Sequence, residues 1–340
     1  MKGAAKKTST VDTPEMPALQ HTKRQLEDFL DSVGHLPTGP LANKAAFYAD
    51  SVFTHQQQMD TLISIKDLNT LKKAIRKGAI NVKSAVRIFK NPKIDASCTE
   101  KSINLTYKPG LTPIEFYPFS KNKNGFDEYG ICIGDPDHCE NACLYFFKGN
   151  KVIAMHIFYE RFAPGLHHYK DSDGKTVIYY EFDFNEGTGN WWFNYFFYKY
   201  DNDKLIPVLN ELANGNSQGG YNTRVLWLKS SIQKTRPLSI KMVYYDQFTS
   251  PMTDSPYVYG PRFLDDSTIV KYSWDGRKKK LVGNYDQTKI KKAQILTYYG
   301  GNELLFINAY YETLKASLHD KEKRKGTLGY LDLVMNQGLK

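Results

Sequence analysis

The sequence lacks a long apolar run. No stretch approaches the ~18–20 apolar residues that a membrane-spanning helix needs, and the N-terminal residues MKGAAKKTSTVDTPEMPALQ lack the apolar centre of a signal peptide. We therefore expect no transmembrane segment. A polar tail of this kind follows a removed signal peptide or lipid anchor, or begins a cytosolic protein, so anchoring to a membrane by a lipid stays open if a signal was removed.

Catalytic signatures are also missing. The chain contains no Gly-x-Ser-x-Gly turn, no His-Glu-x-x-His motif, no dinucleotide fingerprint and no phosphate-binding loop. Gly187-Thr188-Gly189 precedes two tryptophans instead of a helix, so we interpret it as a bulge or tight turn. These absences predict no cofactor and favour a non-catalytic protein over an enzyme.

Cysteine is scarce, at four residues in 340. Cys98, Cys132, Cys139 and Cys143 are disulfide candidates whose pairing the sequence does not choose, and buried thiols are the alternative. His138 adds an imidazole to this group, but Cys139-x3-Cys143 is the one closely spaced pair, unlike the two distant pairs of a zinc ribbon. We predict no metal site.

Aromatic residues are abundant: they make up 14% of the chain, with 24 tyrosines and 19 phenylalanines. Large rings favour pleated, half-buried surfaces, which indicates a β-rich protein. With 41% hydrophobic and 24% charged residues, the chain can build a sizeable core.

The net charge of +10 is unevenly distributed. Residues 64–93 carry +8 and residues 271–340 carry +7, whereas residues 94–270 carry −4. Basic segments can bind nucleic acid or anionic lipid, although they are more often solvated helix faces. Nucleic-acid binding through 64–93 and 271–292 is therefore our second alternative function, and we rank it below the other partners.

The apolar spacing predicts helices at the N-terminal side of the chain, after a disordered tail over residues 1–20. The predicted helices run from about Thr22 to Gly34, from Leu41 to about Met59, from the cap Ser64 to Gly78, and from the cap Asn81 to Asn91.

Aromatic strands joined by short turns fill the centre. Residues 145–152, 198–205 and 271–282 each read as an aromatic strand, a turn with Asp, Asn or Gly, and a returning strand, and residues 173–179 are a degenerate copy. Their uneven spacing predicts a meander of hairpins.

Three helices are predicted after the strands. Asp286 or Thr288 caps KIKKAQILTYY, Asn302 caps ELLFINAYYETLKASLH, and LGYLDLVMN forms a short last helix. The predicted fold class is α+β, with helices at both ends of an antiparallel sheet region. The predicted divisions are a tail (1–20), a helical region (21–93), a β domain (94–285) and C-terminal helices (286–340).

Aromatic residues are densest between Thr176 and Leu209. This stretch contains the candidate binding residues Gly187, Gly189, Trp191, Trp192 and Asn194. Side chains alternate along a strand, so one of the two adjacent tryptophans should face the core and the other should face outwards or a partner layer. An outward tryptophan beside an asparagine could stack on a sugar ring or anchor a protein.

Two further motifs have ordinary explanations. Asp171-Ser172-Asp173-Gly174 resembles the start of a calcium loop, but Thr176 and Val177 stand where carboxylates are needed, so we predict a hairpin turn. The alternative function is a hydrolase that acts on a glycan or other envelope polymer. Its candidate acidic and histidine residues are Glu160, His168, Asp183 and Glu186.

The runs YKYDNDKLIPVLNE and VKYSWDGRKKKLVGNY are similar to those of uncharacterised β-rich exported proteins and lipoproteins of Bacteroidetes-type bacteria, over about residues 100–285. The resemblance implies a periplasmic or outer-membrane setting and assigns no catalytic residue; a cytoplasmic one stays open. The first hypothesis is a non-catalytic binding or accessory protein of the cell envelope, whose partner is another envelope protein or a glycan.

Overall fold

A computed structural model describes residues 18–51, 56–91, 94, 110–123, 125–134, 142–158, 165–185, 191–218, 224–249, 259–299 and 302–338. These residues form an α+β protein with two antiparallel sheets between N-terminal and C-terminal helices, which confirms the predicted fold class. None of the described helices is both long enough and apolar enough to cross a membrane.

Two helices come first, α1 (Lys23–Gly34) and α2 (Thr38–Ser51). The Thr22 hydroxyl accepts a hydrogen bond from the backbone N–H of Gln25, whose side chain in turn accepts one from the Thr22 N–H. This reciprocal cap confirms the predicted start of α1 near Thr22.

Strand β1 (Gln56–Leu62) corrects the predicted second helix. That helix was predicted to reach about Met59, and it is wrong for residues 56–59. The run of glutamines has no apolar stripe to bury as a helix, and as a strand it satisfies its backbone groups by pairing with a later strand at Gln56–His156.

A helical pair follows, as predicted, with α3 (Ile65–Lys77), β2 (Ala79–Asn81) and α4 (Val82–Phe89). The Ser64 hydroxyl accepts from the N–H of Asp67, and the Asn81 side chain accepts from the N–H of Ser84. Gly78 ends α3 with φ of 69°, a left-handed conformation that glycine adopts without strain.

The first sheet contains β3 (Leu111–Asn122), β4 (Gly125–Ile133), β5 (Ala142–Lys148) and β6 (Lys151–Phe158), in the order β1-β6-β5-β4-β3-β2. Helices α3 and α4 cover one face of this sheet, where the Phe89 ring stacks on Tyr145 with centroids 4.0 Å apart.

The second sheet is a sequential meander of eight strands: β7 (His167–Lys170), β8 (Thr176–Asn185), β9 (Trp191–Asp201), β10 (Lys204–Gln218), β11 (Arg224–Thr235), β12 (Leu238–Thr249), β13 (Tyr259–Asp275) and β14 (Lys280–Gly283). The four predicted hairpins appear as β5–β6, β7–β8, β9–β10 and β13–β14. Neighbours in sequence are therefore neighbours in the sheet.

An aromatic layer joins the two sheets. The ring of Tyr200 in β9 lies 6.1 Å from that of Phe119 in β3, and its hydroxyl donates to the carbonyl of Tyr129 at 3.4 Å. The His156 ring lies 4.6 Å from Tyr198. Burial of these rings stabilises the contact between the sheets.

The first two predicted C-terminal helices are shorter than predicted, whereas the last, predicted over LGYLDLVMN, begins five residues earlier. The C-terminal helices are α5 (Lys292–Leu296) with a 3-10 turn (Thr297–Tyr299), α6 (Glu303–Ala309), α7 (Tyr311–Ser317) and α8 (Lys323–Asn336). Asn302 caps α6 as predicted, but α5 follows Lys291 instead of Asp286 or Thr288. The long predicted helix divides at the buried Tyr310, whose φ of −106° leaves the helical range.

Candidate ligand-binding site

The predicted binding stretch lies partly outside the described residues, since Gly187 and Gly189 are not among them. Trp192 is 3% exposed and packs edge-on against Tyr299, with ring centroids 6.0 Å apart. Trp191 stays partly exposed and contacts Phe193. The alternation argument is therefore confirmed: the second tryptophan faces the core and the first does not.

Asn194 is fully buried and serves the packing of β9 against the helices. Its amide nitrogen donates to the Tyr299 hydroxyl at 2.9 Å and also to Asn210. A buried amide engaged in this way offers no group to a ligand. Among the described members of the predicted set, Trp191 alone presents surface.

The other predicted residues are dispersed. Cys132 and Cys143 are buried on the adjacent strands β4 and β5 and are not joined to each other, while Cys98, Cys139 and His138 lie outside the described residues. Within the described ranges no cluster of three or more His, Cys, Asp or Glu could hold a metal ion.

Of the hydrolase candidates, His168 is described and exposed on β7, with its ring 5.4 Å from Phe119. Partial burial, then Lys170 and His167, lower its pKa, so the ring is neutral near pH 7. Glu160 and Glu186 lie outside the described residues, as does the side chain of Asp183.

The Asp171–Gly174 motif is a hairpin turn, as predicted. The Asp171 carboxylate accepts from the backbone N–H groups of Asp173 and Lys175, both at 2.9 Å. The Lys199 ammonium contacts Asp171 at 2.5 Å and Asp173 at 3.0 Å. A lysine thus occupies the position in which a calcium loop would hold its cation.

The sequence did not indicate a concave feature that lies on the second sheet. The second sheet curls so that β14 approaches β10, which leaves a groove with two lobes below the β13–β14 hairpin. The lobe that contains Glu211 is called the upper lobe and is a cavity of about 700 Å³. The lobe that contains Lys199 is called the lower lobe and is a cavity of about 600 Å³. Val208, Tyr272 and Leu281 line both lobes, so the two lobes are neighbours that share this wall.

Glu211 is the polar centre of the upper lobe and is 1% exposed. Its carboxylate accepts from the Tyr285 hydroxyl at 2.6 Å, from the Tyr272 hydroxyl at 3.0 Å and from the Lys292 ammonium at 2.8 Å. Burial, and then the Glu211 charge, hold the pKa of both tyrosines well above the usual range, so both remain donors. This network fixes the segment after β14 against the sheet.

Apolar and basic side chains complete the upper lobe. Phe196, Leu209 and Leu281 supply apolar wall, and Lys278 and Lys280 stand exposed on the β13–β14 hairpin. The lobe therefore combines an apolar floor with cationic groups at the rim.

The lower lobe is lined by aromatic rings and by charged side chains that are fixed by contacts within the protein. The Lys199 ammonium lies 4.2 Å from the centroid of the Trp274 ring, a cation–π contact. Arg236 donates through Nη2 to the carbonyl of Asp171 at 2.7 Å, and Tyr169 also lines this lobe. Hydroxyl groups of Ser172, Thr235 and Ser273 are also present.

A bulge in β10 helps to shape the groove. The register with β9 shifts between Pro207 and Leu209, which leaves Val208 opposite no residue of β9 and places it on the wall shared by the lobes. The Pro-Val-Leu sequence was the one available signal, because proline cannot donate to a sheet and is common at bulges.

Comparisons of the chain with models of protein families, with curated proteins and with solved structures found no match. Function therefore has to be inferred from the groove. Glu211 and Asp171, its two buried or half-buried acids, are held by several donors each, an arrangement suited to a fixed binding surface more than to proton transfer.

Proposed function

We propose that this chain is a non-catalytic binding protein of the bacterial cell envelope, and that it holds a segment of an envelope glycan in the two-lobed groove. The observation that carries the proposal is that the two lobes lie side by side and share Val208, Tyr272 and Leu281 in their lining. Each lobe lies within the ~300–1,000 Å³ typical of ligand sites. An extended ligand with repeating units suits such a site better than one compact molecule.

The lining chemistry supports a sugar chain. Sugar rings have apolar faces that pack on aromatic rings and hydroxyl edges that bond to polar groups, and the groove offers both through Trp274, Tyr169 and three hydroxyl side chains. Lys278 and Lys280 at the rim of the upper lobe favour a glycan that also carries carboxylates. Peptidoglycan fragments, with sugar rings and acidic stems, have this chemistry.

A direct test is isothermal titration calorimetry with soluble peptidoglycan fragments, with neutral malto-oligosaccharide as the comparison probe. We expect saturable binding of the fragments and weaker binding of the neutral chain. Trp274→Ala should raise the Kd at least about tenfold, since a truncated aromatic anchor commonly costs more than 1–2 kcal/mol.

Trp227→Ala is the matched control, because Trp227 lies in β11 and stacks on Tyr245, outside both lobes. Its Kd should stay within about twofold of the parent value. Absence of saturable binding to the fragments, or equal losses in both variants, would reject the groove as the binding site. Release of reducing ends from the fragments would reject the non-catalytic role.

A further inference from the structure

Helix α3 presents a basic face to solvent. Ile65, Asn69, Lys72 and Arg76 follow one another at the spacing of a single helical stripe, and all are exposed. Lys66, Lys73 and Lys77 form the adjacent stripe and are exposed as well. Five basic side chains therefore share this face with no acidic one.

The charges on this face are not neutralised within the described part of the chain. Asp67 is the one acid of α3, and it bonds to Arg87 of α4 at 2.7 Å. Among the described residues, Lys66, Lys72, Lys73, Arg76 and Lys77 form no ion pair. A positive surface of this kind attracts a polyanion.

Two aliphatic side chains project at the same end of the helix. Leu62 is 72% exposed and Ile65 is 77% exposed, while Ile63 between them is 2% exposed. Single exposed aliphatic residues are common, but these two stand next to the basic stripe. Ile65 is itself a member of that stripe.

The opposite face of α3 is fixed to the first sheet through Leu71 and Ala74, which are buried in the core with Phe147. The basic face is therefore carried by a rigid base. The helix backbone that carries these side chains does not need to be ordered when a partner arrives, which lowers the cost of binding.

We propose that this surface docks on an anionic phospholipid bilayer. It consists of Leu62, Ile65, Lys66, Lys72, Lys73, Arg76 and Lys77. Lysine and arginine are attracted to the charged headgroups, and Leu62 and Ile65 enter the boundary between headgroups and acyl chains. Aliphatic side chains gain nothing from the phosphate backbone of a nucleic acid, so the pair favours lipid.

The test measures co-sedimentation of the whole chain with vesicles of equal parts phosphatidylglycerol and phosphatidylcholine, against vesicles of phosphatidylcholine alone. We expect binding to the mixed vesicles that weakens as salt rises. The triple variant Lys72→Gln, Lys73→Gln, Arg76→Gln should lower the partition coefficient about a hundredfold, because each basic group contributes about fivefold.

The matched control is Lys321→Gln, Arg324→Gln, Lys325→Gln, since it removes the same number of exposed charges from the first turn of α8 and the residues just before it. It should retain most of the binding. Leu62→Ser with Ile65→Ser should reduce binding about tenfold or more at moderate salt while leaving the melting temperature unchanged, because both side chains are already exposed.

Three results would overturn the proposal. The first is equal binding to neutral and anionic vesicles, and the second is equal loss in the two triple variants. The third is a pair of observations: the chain binds duplex DNA or RNA in a salt-sensitive way, and the Leu62→Ser, Ile65→Ser variant binds both nucleic acid and vesicles as well as the parent does. That pair would assign the face to nucleic acid.

Discussion

At the scale of single residues, two buried acids of the second sheet are stabilised in different ways. Glu211 has an ammonium and two hydroxyls as donors. Asp246 in β12 is fully buried and receives the Tyr298 hydroxyl at 3.3 Å. Burial raises the pKa of Asp246 to about 7, although Tyr310, Arg224 and Tyr298 act to lower it.

The raised pKa makes stability depend on pH. An unfolded Asp has a pKa near ~3.9, so the folded state binds the extra proton between about 4 and 7, the folded value. The stability that the protonated carboxyl contributes is full below pH ~4 and is lost as the pH rises towards 7, by up to about 1.4 kcal/mol per unit.

Asp246→Asn should remove that loss, because the amide stays neutral. We expect the variant to gain on the parent protein between pH 5 and pH 8, by about 1–3 kcal/mol in the free energy of unfolding from urea titrations. Asp286→Asn, at an exposed position, is the control and should show no such gain. An equal difference between variant and parent at both pH values would contradict the assignment.

Replacing Glu211 should destabilise the protein, whereas replacing Asp246 should stabilise it. Glu211→Leu leaves the hydroxyls of Tyr272 and Tyr285 without their carboxylate acceptor, and should lower the free energy of unfolding by about 2–4 kcal/mol. Glu211→Gln keeps one acceptor oxygen and should cost about half as much. Urea midpoints that are equal for the two variants would show that the acceptor is unimportant.

At the scale of elements, the residues that cap helix starts could be predicted from the sequence, whereas the break within a predicted helix could not. Ser64, Asn81 and Asn302 were identified as helix starts because a side-chain acceptor three residues before a free N–H is a local property. The break at Tyr310 depends on tertiary packing: its ring lies 4.8 Å from Phe306 and is fully enclosed. No pattern within the helix itself contains that information.

The contact between α1 and α7 gives a prediction about packing. A methyl group added at Gly34 would lie 2.1 Å from the Tyr311 ring, whereas one at Gly39 would meet nothing within 4 Å. Gly34→Ala should therefore destabilise the protein by about 1–3 kcal/mol. Gly39→Ala, in the first turn of α2, should be neutral or stabilising by up to about 1 kcal/mol. Thermal melts of both variants test this, and equal shifts would contradict it.

At the scale of the whole molecule, distant parts of the chain meet. The groove brings Glu211 to Tyr285, Trp274 to Lys199 and Asp171 to Arg236. The individual hairpins were predicted, but the curl that carries β14 towards β10 was not, because it arises from sheet twist and the β10 bulge. The site therefore could not be read from the sequence, although its elements could.

The two ends of the described chain are also joined. Backbone N–H groups of Gln20 and His21 donate to the Asp332 carboxylate at 3.1 and 2.9 Å, and the His21 ring lies 2.9 Å from it. Although burial acts to raise the pKa of Asp332, these hydrogen bonds hold it below the usual range. The contribution to stability is thus present above pH ~4 and lost as the pH falls through the lowered value.

Asp332→Ala should loosen α1 from α8. We expect faster amide hydrogen exchange in α1 at pH 7, by about tenfold or more, because the hydrogen bonds to a charged group are lost. Exchange in α3 and α4, on the far side of the first sheet, should not change. Uniform acceleration in every helix would instead indicate general destabilisation.

The order of strands in the second sheet has a consequence for solubility. The most aromatic strand, β9, lies between β8 and β10, and the sheet ends in β7 and β14, which are four residues each. A long aromatic strand at an open edge would template pairing between molecules, but both sides of β9 are already paired, with β8 on one side and β10 on the other. The order of strands therefore keeps the most aggregation-prone segment from any neighbouring chain, and truncation of β7 should free the paired part of β8 for self-association.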